Sequence, residues 1–506
     1  MTEWTLWLWP GASYALPQGP MVFWFGFTLL LWCCAALYSM QTIQSRKRLY
    51  WISFVLAMLG NLQLLLAQDV LGFYLGFALM SLSAYGLVIH RGDKTARQAG
   101  RLYLQLAILG ELLLFAGLLL RVDAAEGALL IANLQTIELT PLTLTLLLLG
   151  LGLKAGFFPL HIWLPLAHPA APVPASAVLS GAMIKAGLLG LWQFLPAQDP
   201  LLVSWLPGLA LLALGSALFG ALIALLHQSS KVVLAYSSVS QMGYMLLALV
   251  LYWASPLELQ TAAAWLLVGY CCHHALLKSA LFLAAGSVNH YRLSSWHGAL
   301  LLWPLLSLVA LPLSSGAMVK YGLKQGVSES SLPALPLLDA LLAFGALCTA
   351  LLALHWLRLA KAQWQLPGPS LPGTASLAWG ILVLASLSMP GWFAALRPQW
   401  LASLSFSAVL AALWPVALAL LLHWGWQRSG WQLAAAWQQP RSPALGWSLW
   451  LKAGYQSRSR ALPELRLPAW RQSERWLNRR LATESLLPGV CALLLSLLLL
   501  LWLLSG

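Results

Sequence analysis

Apolar runs of about twenty residues recur along the whole chain, separated by short polar stretches. A run of that length is what a helix needs to cross the hydrocarbon of a bilayer. Fourteen spans are predicted, at about 22–40, 50–68, 70–90, 101–120, 141–167, 173–195, 203–226, 231–251, 259–287, 300–325, 335–360, 374–394, 401–424 and 486–504. Two of them are interrupted. Gly150, Gly152, Gly156 and Pro159 mark the fifth, and Pro312 with Gly316 marks the tenth. Broken helices at membrane depth are tolerated where protein or water satisfies the freed backbone groups, so an ion path is sought there. The fold class is all-α and polytopic.

Loop charge tests the spacing of these spans. One set of loops carries Arg46, Lys47 and Arg48; Arg91, Lys94, Arg97 and Arg101; Lys231; Arg292; and Arg358 with Lys361. The segment 425–485, with ten Lys/Arg, belongs to the same set. The opposite set carries Arg121 and Arg397 with Asp69, Asp123, Glu126, Glu138, Asp199, Glu258 and Glu329. The positive-inside rule puts both termini on the outer side of a cell inner (plasma) membrane. The net charge of +14 is then mostly topology and does not argue for nucleic acid. The first twenty residues lack the basic start and short apolar core of a cleaved signal.

Composition agrees, with 60% hydrophobic and 8% charged residues, far from a soluble domain. The 28 tryptophans suit interface belts and packing. Cys33, Cys34, Cys271, Cys272, Cys348 and Cys491 all fall in apolar segments without metal-site spacing. In 462–481, apolar residues at helical spacing oppose a basic face. That segment reads as an interfacial helix or a docking site for a partner subunit.

The intramembrane charges carry the candidate chemistry. No arginine falls near the middle of a span, but Lys154, Lys185, Lys278 and Lys320 do, four of only ten lysines. A charge at the bilayer centre costs at least about 2.5–3.5 kcal/mol. Arginine stays charged, whereas lysine can lose its proton when desolvated. A proton relay needs groups of the second kind. Snorkelling to an interface is the alternative for Lys185. His274 and Lys278 are four apart and share a helix face; with one partner a lysine, a polar stripe in a wet bundle interior is expected rather than a zinc site. Glu111 is the carboxylate deep in the first half and the candidate counter-charge for Lys154; the alternative is a neutral or locally paired acid. Asp339, near a span end, is read as entrance or structure. His161, His168, His273 and His355 are possible relay members.

The two lysine-bearing breaks are five spans apart, an odd number that reverses orientation, as an inverted repeat requires. The chain divides into 1–49 with the first span, a first repeat 50–195, a second repeat 203–360, two further spans in 361–424, the basic segment 425–485 and a C-terminal span 486–506.

Three stretches carry a family resemblance: LKAGFFPLHIWLPLAHPAAPVPASAVLSGAMIKAGLLGL from 153, KVVLAYSSVSQMGYMLLAL at 231–249 and HHALLKSALFLAAGSV at 273–288. Together they resemble the antiporter-like membrane subunits shared by respiratory complex I, hydrogenase-4-type membrane hydrogenases and Mrp-type cation/proton antiporters. The resemblance covers about residues 20–360. It implies two inverted five-helix repeats, two broken helices and a polar axis at mid-membrane. Matched residue by residue, it makes Lys154 the lysine of the first broken helix and Lys185 that of the following helix. His274 and Lys278 become the pair of the second half, Lys320 the terminal position, and Glu111 an acidic position before Lys154. There are departures. Where the family carries WELMSLSSY, this chain has FALMSLSAY, with Ala78 in place of the glutamate. MVFWFGFTLLLWCCAALYS resembles the family's third span, leaving the first two without a counterpart, and no long lateral helix is expected.

The function implied is a proton-translocating subunit of a multi-subunit ion-pumping complex. It would work with other membrane subunits and have no catalytic site, cofactor or bound metal of its own. One alternative is a sodium/proton antiporter subunit, although sodium needs oxygen ligands and the region has few carboxylates. Another is a non-pumping scaffold for a partner such as an inorganic-carbon uptake protein. Ala78 favours the scaffold and the retained lysines oppose it.

Overall fold

A computed structural model describes residues 4–5, 12–330, 332, 335–364 and 368–428. The basic segment beyond 428, Cys491 and the last predicted span, 486–504, lie outside the described residues. In chain order the helices are α1 (Pro20–Thr42), α2 (Lys47–Leu66), α3 (Val70–Val88), α4 (Lys94–Ala124), α5 (Ile131–Leu134), α6 (Pro141–Ala155), α7 (Leu164–Ala170), α8 (Val173–Val178) and α9 (Lys185–Phe194). They continue with α10 (Pro200–Ala224), α11 (Ser230–Ala254), α12 (Leu257–His290), α13 (Trp296–Leu308), α14 (Ser315–Glu329), α15 (Leu335–Trp364), α16 (Gly373–Trp392), α17 (Arg397–Ala402) and α18 (Phe406–Arg428). Near the N-terminus Trp4–Thr5 pairs antiparallel with Ser13–Tyr14. Among the described residues, eleven helical stretches are long and apolar enough to cross a membrane, Val173–Phe194 counting as one. Two shorter apolar helices, α6 and α13, fall where the interrupted spans are expected.

Short polar residues start these helices. The first N–H groups of a helix lack intrahelical partners, and a side-chain oxygen at the N-cap supplies one. Asp69, Asp93 and Asp199 accept from the N–H of Gly72, Ala96 and Leu202 at the starts of α3, α4 and α10. Thr140 and Ser314 do the same for α6 and α14. Asp69 also receives the N–H and hydroxyl of Ser13, which pins the N-terminal segment. Thus two of the acidic residues counted as loop charge, Asp69 and Asp199, are caps. Arg121 is likewise structural: it is buried and donates to the carbonyls of Leu134, Ile137 and Glu138, fastening the connection before α6.

The core sits around α11 and α12. The most apolar windows of both are completely buried, that of Val173–Phe194 is 94% buried, and that of α18 only 11%. The buried helices are the ones carrying lysine, histidine, serine and glutamine, while the outer ones present leucine. Polar groups placed there have protein partners instead of hydrocarbon. Two helix pairs approach very closely through glycine. A Cβ on Gly60 would lie 2.4 Å from the Met80 backbone nitrogen, between α2 and α3, and one on Gly220 would lie 2.5 Å from that of Ser240, between α10 and α11.

Both expected breaks are present, with different residues making them. In the first, α6 stops at Gly156, whose φ of 70° is left-handed and whose N–H closes the helix on Gly152. Gly150 and Gly152 lie inside α6 and do not interrupt it. In the second, the chain leaves helix between Leu308 and Ser315, where Ala310 and Leu313 take φ of 63° and 69°. Such values are uncommon for non-glycine residues and mark local backbone strain. Gly316 lies inside α14. Its role is close approach, because a Cβ there would meet the Ser307 carbonyl oxygen at 1.8 Å. A third irregularity was not foreseen: α8 passes into α9 through a π-helical turn, Leu179–Met183.

Candidate functional site

Lys154 is the second-last residue of α6, and its side chain is buried against α3 and α4. The ammonium donates to Ser81 Oγ at 2.8 Å and to the Tyr103 hydroxyl at 3.4 Å. Tyr103 gives its own proton to the Ser81 carbonyl at 2.9 Å, which leaves its oxygen lone pairs for the lysine. The rings of Phe77 and Tyr103 stand 5.7 and 5.8 Å from the nitrogen. Buried Glu111 is the electrostatic partner and also interacts with the Ser81 hydroxyl. It makes no ion pair with Lys154 within 4.0 Å; among the described residues such a pair joins Arg91 to Asp93. Ser81 therefore stands between amine and carboxyl, three residues along α3 from half-buried Ala78.

Lys185, at the start of α9, is fully buried. The π turn leaves two carbonyls turned toward it, and the amine donates to Ser180 O at 3.2 Å and Gly181 O at 2.6 Å. It also bonds His274 Nδ1 on α12 at 2.9 Å. Lys278, one turn further along α12, donates to the Leu234 carbonyl of α11 at 3.2 Å. The same carbonyl accepts from Ser238 Oγ at 2.9 Å, and Ser238 meets Ser180 Oγ at 2.8 Å. Lys185, His274 and Lys278 are thus joined through two serines and two backbone carbonyls.

Adjacent His273 points elsewhere. Its Nδ1 is 2.9 Å from Ser315 Oγ, the first residue of α14, and Ser315 is 3.2 Å from Ser307 near the end of α13. Neighbours on a helix diverge by about 100°, so the pair faces two directions. Lys320 lies on α14 and donates to Leu308 O at 3.0 Å, a carbonyl freed where α13 ends. Lys320 lines a cavity of about 440 Å³ with Lys324, Asp339, Tyr244 and Ser403.

Other expected members lie apart from these bonds. His161 sits among the rings of Phe158, Phe219 and Tyr236. His355 contacts the His227 carbonyl at 2.7 Å and Arg358 at 3.3 Å. His168 is buried against Phe282, with centroids 4.5 Å apart, and neither ring nitrogen has a protein hydrogen-bond partner. Among the described residues no three His, Cys, Asp or Glu side chains converge to hold a metal. Sequence reasoning missed Ser81, Tyr103, Ser180, Ser238, Ser307 and Ser315. Each is a single hydroxyl among apolar neighbours, too weak a signal to single out in the sequence.

Comparison with known proteins adds to this geometry. The family described as NADH:quinone oxidoreductase/Mrp antiporter, TM, matches residues 67–323. Hydrogenase-4 component B of Escherichia coli (strain K12) is 40% identical over 238 residues, 44% of this chain and 35% of that protein. NADH-quinone oxidoreductase subunit N of Ectopseudomonas mendocina (strain ymp) is 30% identical over 395 residues, 73% of this chain and 77% of that protein. A chain in the solved structure of the Mrp complex from Dietzia sp. DQ12-45-1b superposes with a TM-score of 0.70 at 20% identity, covering 97% of this chain and 57% of that one. At that identity the likeness speaks for the fold alone.

Proposed function

Since the chain belongs to the NADH:quinone oxidoreductase/Mrp antiporter transmembrane family, we propose that it is a proton-translocating, antiporter-like subunit of a multi-subunit ion-pumping complex. Protons enter from the cytoplasmic side near Lys154 and Lys185, pass His274 and Lys278, and leave by Lys320. Partner membrane subunits supply the driving force by changing the charge state at one end. The chain sits in the inner (plasma) membrane with fourteen spans and both termini outside.

The observation that carries this reading is the 2.9 Å bond between Lys185 and His274. It joins a lysine of the proposed first repeat, 50–195, to a histidine of the second, 203–360. Two unit charges at that separation repel by about 6 kcal/mol at an effective dielectric of about 20. The pair therefore holds one extra proton at a time, and a charge arriving on one side displaces a proton on the other. The helix order supports the two repeats. Each has a glycine-packed pair (α2 with α3, α10 with α11), then a long helix, then a broken one.

Ala78 favours the scaffold reading, in which pumping is lost. Against it, Ser81 and Glu111 still furnish Lys154 with a polar partner and a counter-charge. Lys154→Met and Lys320→Met, each in vesicles holding the whole complex, test the proposal. Proton uptake should be abolished in both; parent rates in both would leave the scaffold. Sodium dependence of the same flux separates the sodium antiporter.

A further inference from the structure

We propose that the cavity beside Lys320 is a binding site for a single-chain lipid anion, a long-chain carboxylate whose head meets Lys324 and Lys320 and whose tail runs between α15 and α18. The site concerns a ligand and stands whether or not Lys320 moves protons.

The cavity, of about 440 Å³, is walled by α14, α15 and α18. Its volume falls in the range of small-ligand sites, about 300–1,000 Å³. Lys320 and Lys324 are four apart on α14 and share the face that lines it. Two like charges at that spacing oppose each other, so the helix gains from an anion between them. Lys320 donates to the Leu308 carbonyl, whereas exposed Lys324 makes no hydrogen bond or ion pair among the described residues. An ammonium at membrane depth without a partner is costly. Asp339, on the α15 wall, has no ion-pair partner among the described residues either, and its buried Oδ1 accepts no hydrogen bond. Fully ionised, the cavity holds two amines against one carboxylate, which leaves a surplus of one positive charge.

Depth selects the head group. Lys324 is five residues short of Glu329, the last residue of α14, and Lys320 is nine short of it. At about 1.5 Å of rise per residue, the amines start from positions about 7.5 and 13.5 Å inside that end of the helix. The phosphate of a two-chain lipid stays in the headgroup layer, outside the hydrocarbon. A carboxylic acid enters hydrocarbon in its neutral form and ionises where amines receive it. The rest of the lining suits a chain. Ala343 and Ala346 of α15 and Ala408 and Ala412 of α18 line the cavity, and these small side chains leave the width that methylene groups fill. On α18, Leu410 and Leu413 are exposed, so the tail has hydrocarbon beside it from which to enter.

The test uses the intact complex in phosphatidylcholine vesicles, with palmitate that carries a photoreactive diazirine near its methyl end. Illumination followed by peptide mass spectrometry should place adducts on α15 or α18. Unlabelled palmitate should compete, and hexadecanol, with the same chain and no charge, should not. Lys324→Met should raise the palmitate concentration for half-labelling about tenfold, the loss of one charge-assisted hydrogen bond. Asp339→Asn removes the opposing charge and should lower that concentration. Ala412→Trp fills the tail channel and should abolish labelling; if that variant does not accumulate, the two charge variants decide. Equal competition by hexadecanol, or parent labelling in both Lys324→Met and Asp339→Asn, overturns the site and leaves ordinary contact with bilayer lipid. Absence of adducts on α15 and α18 also overturns it and leaves an aqueous vestibule.

Discussion

Replacing Lys185 with arginine separates a movable proton from a fixed charge. Arginine keeps the positive charge and the donors that reach Ser180, Gly181 and His274, but it does not give up its proton. With a permanent charge about 3 Å from Nδ1, a proton on His274 is disfavoured by the same repulsion of about 6 kcal/mol, or roughly four powers of ten. His274 would then stay neutral throughout the cycle. Proton uptake in Lys185→Arg is expected to fall below detection, as in Lys185→Met, with the complex still assembled. The assay is quenching of a pH-sensitive dye by inverted vesicles at matched complex content. The double variant Lys185→Met with His274→Phe should lose no more than either single change, since groups acting as one unit are not additive. Uptake near the parent rate in Lys185→Arg would show that only a charge is needed there, and the shared-proton reasoning would fail.

Other expectations follow from the same geometry. Ser81→Ala removes the hydroxyl between Lys154 and Glu111 and should slow uptake by about tenfold, the low end for a positioned proton-transfer group, while thermal stability in detergent changes little. Arg121→Met leaves three buried carbonyls without their donor and should destabilise the protein by about 3 kcal/mol, read as a lower melting temperature in detergent. Asp69→Ala loses the cap of α3 and should cost about 1 kcal/mol in the same assay, with faster proteolysis before residue 20. Gly220→Val forces α10 from α11 and should abolish accumulation of the protein, whereas Gly26→Ala, with open space around it, should be silent.

The lysines were legible because a charge in an apolar run costs enough to be conspicuous. Serines were not, because one hydroxyl among leucines costs little until two meet across helices, as Ser180 and Ser238 do. The breaks were found, but Gly316 misled: a glycine signals either an unusual dihedral or a close neighbour, and here it is the neighbour, Ser307. Periodicity placed His274 and Lys278 on one face, but only three-dimensional packing turned His273 toward α14 and His274 toward Lys185. The question of what faces Lys154 has a composite answer. Glu111 supplies the field and Ser81 the bond, which no spacing rule reveals because they come from α4 and α3.

Lys278 lies one turn beyond His274 on α12, joined to Lys185 through Ser180, Ser238 and the Leu234 carbonyl, so it tests the relay at its middle. The decisive measurement is proton uptake per turnover by intact complex carrying Lys278→Met. The relay predicts none above the leak of protein-free vesicles; uptake at the parent value would contradict it.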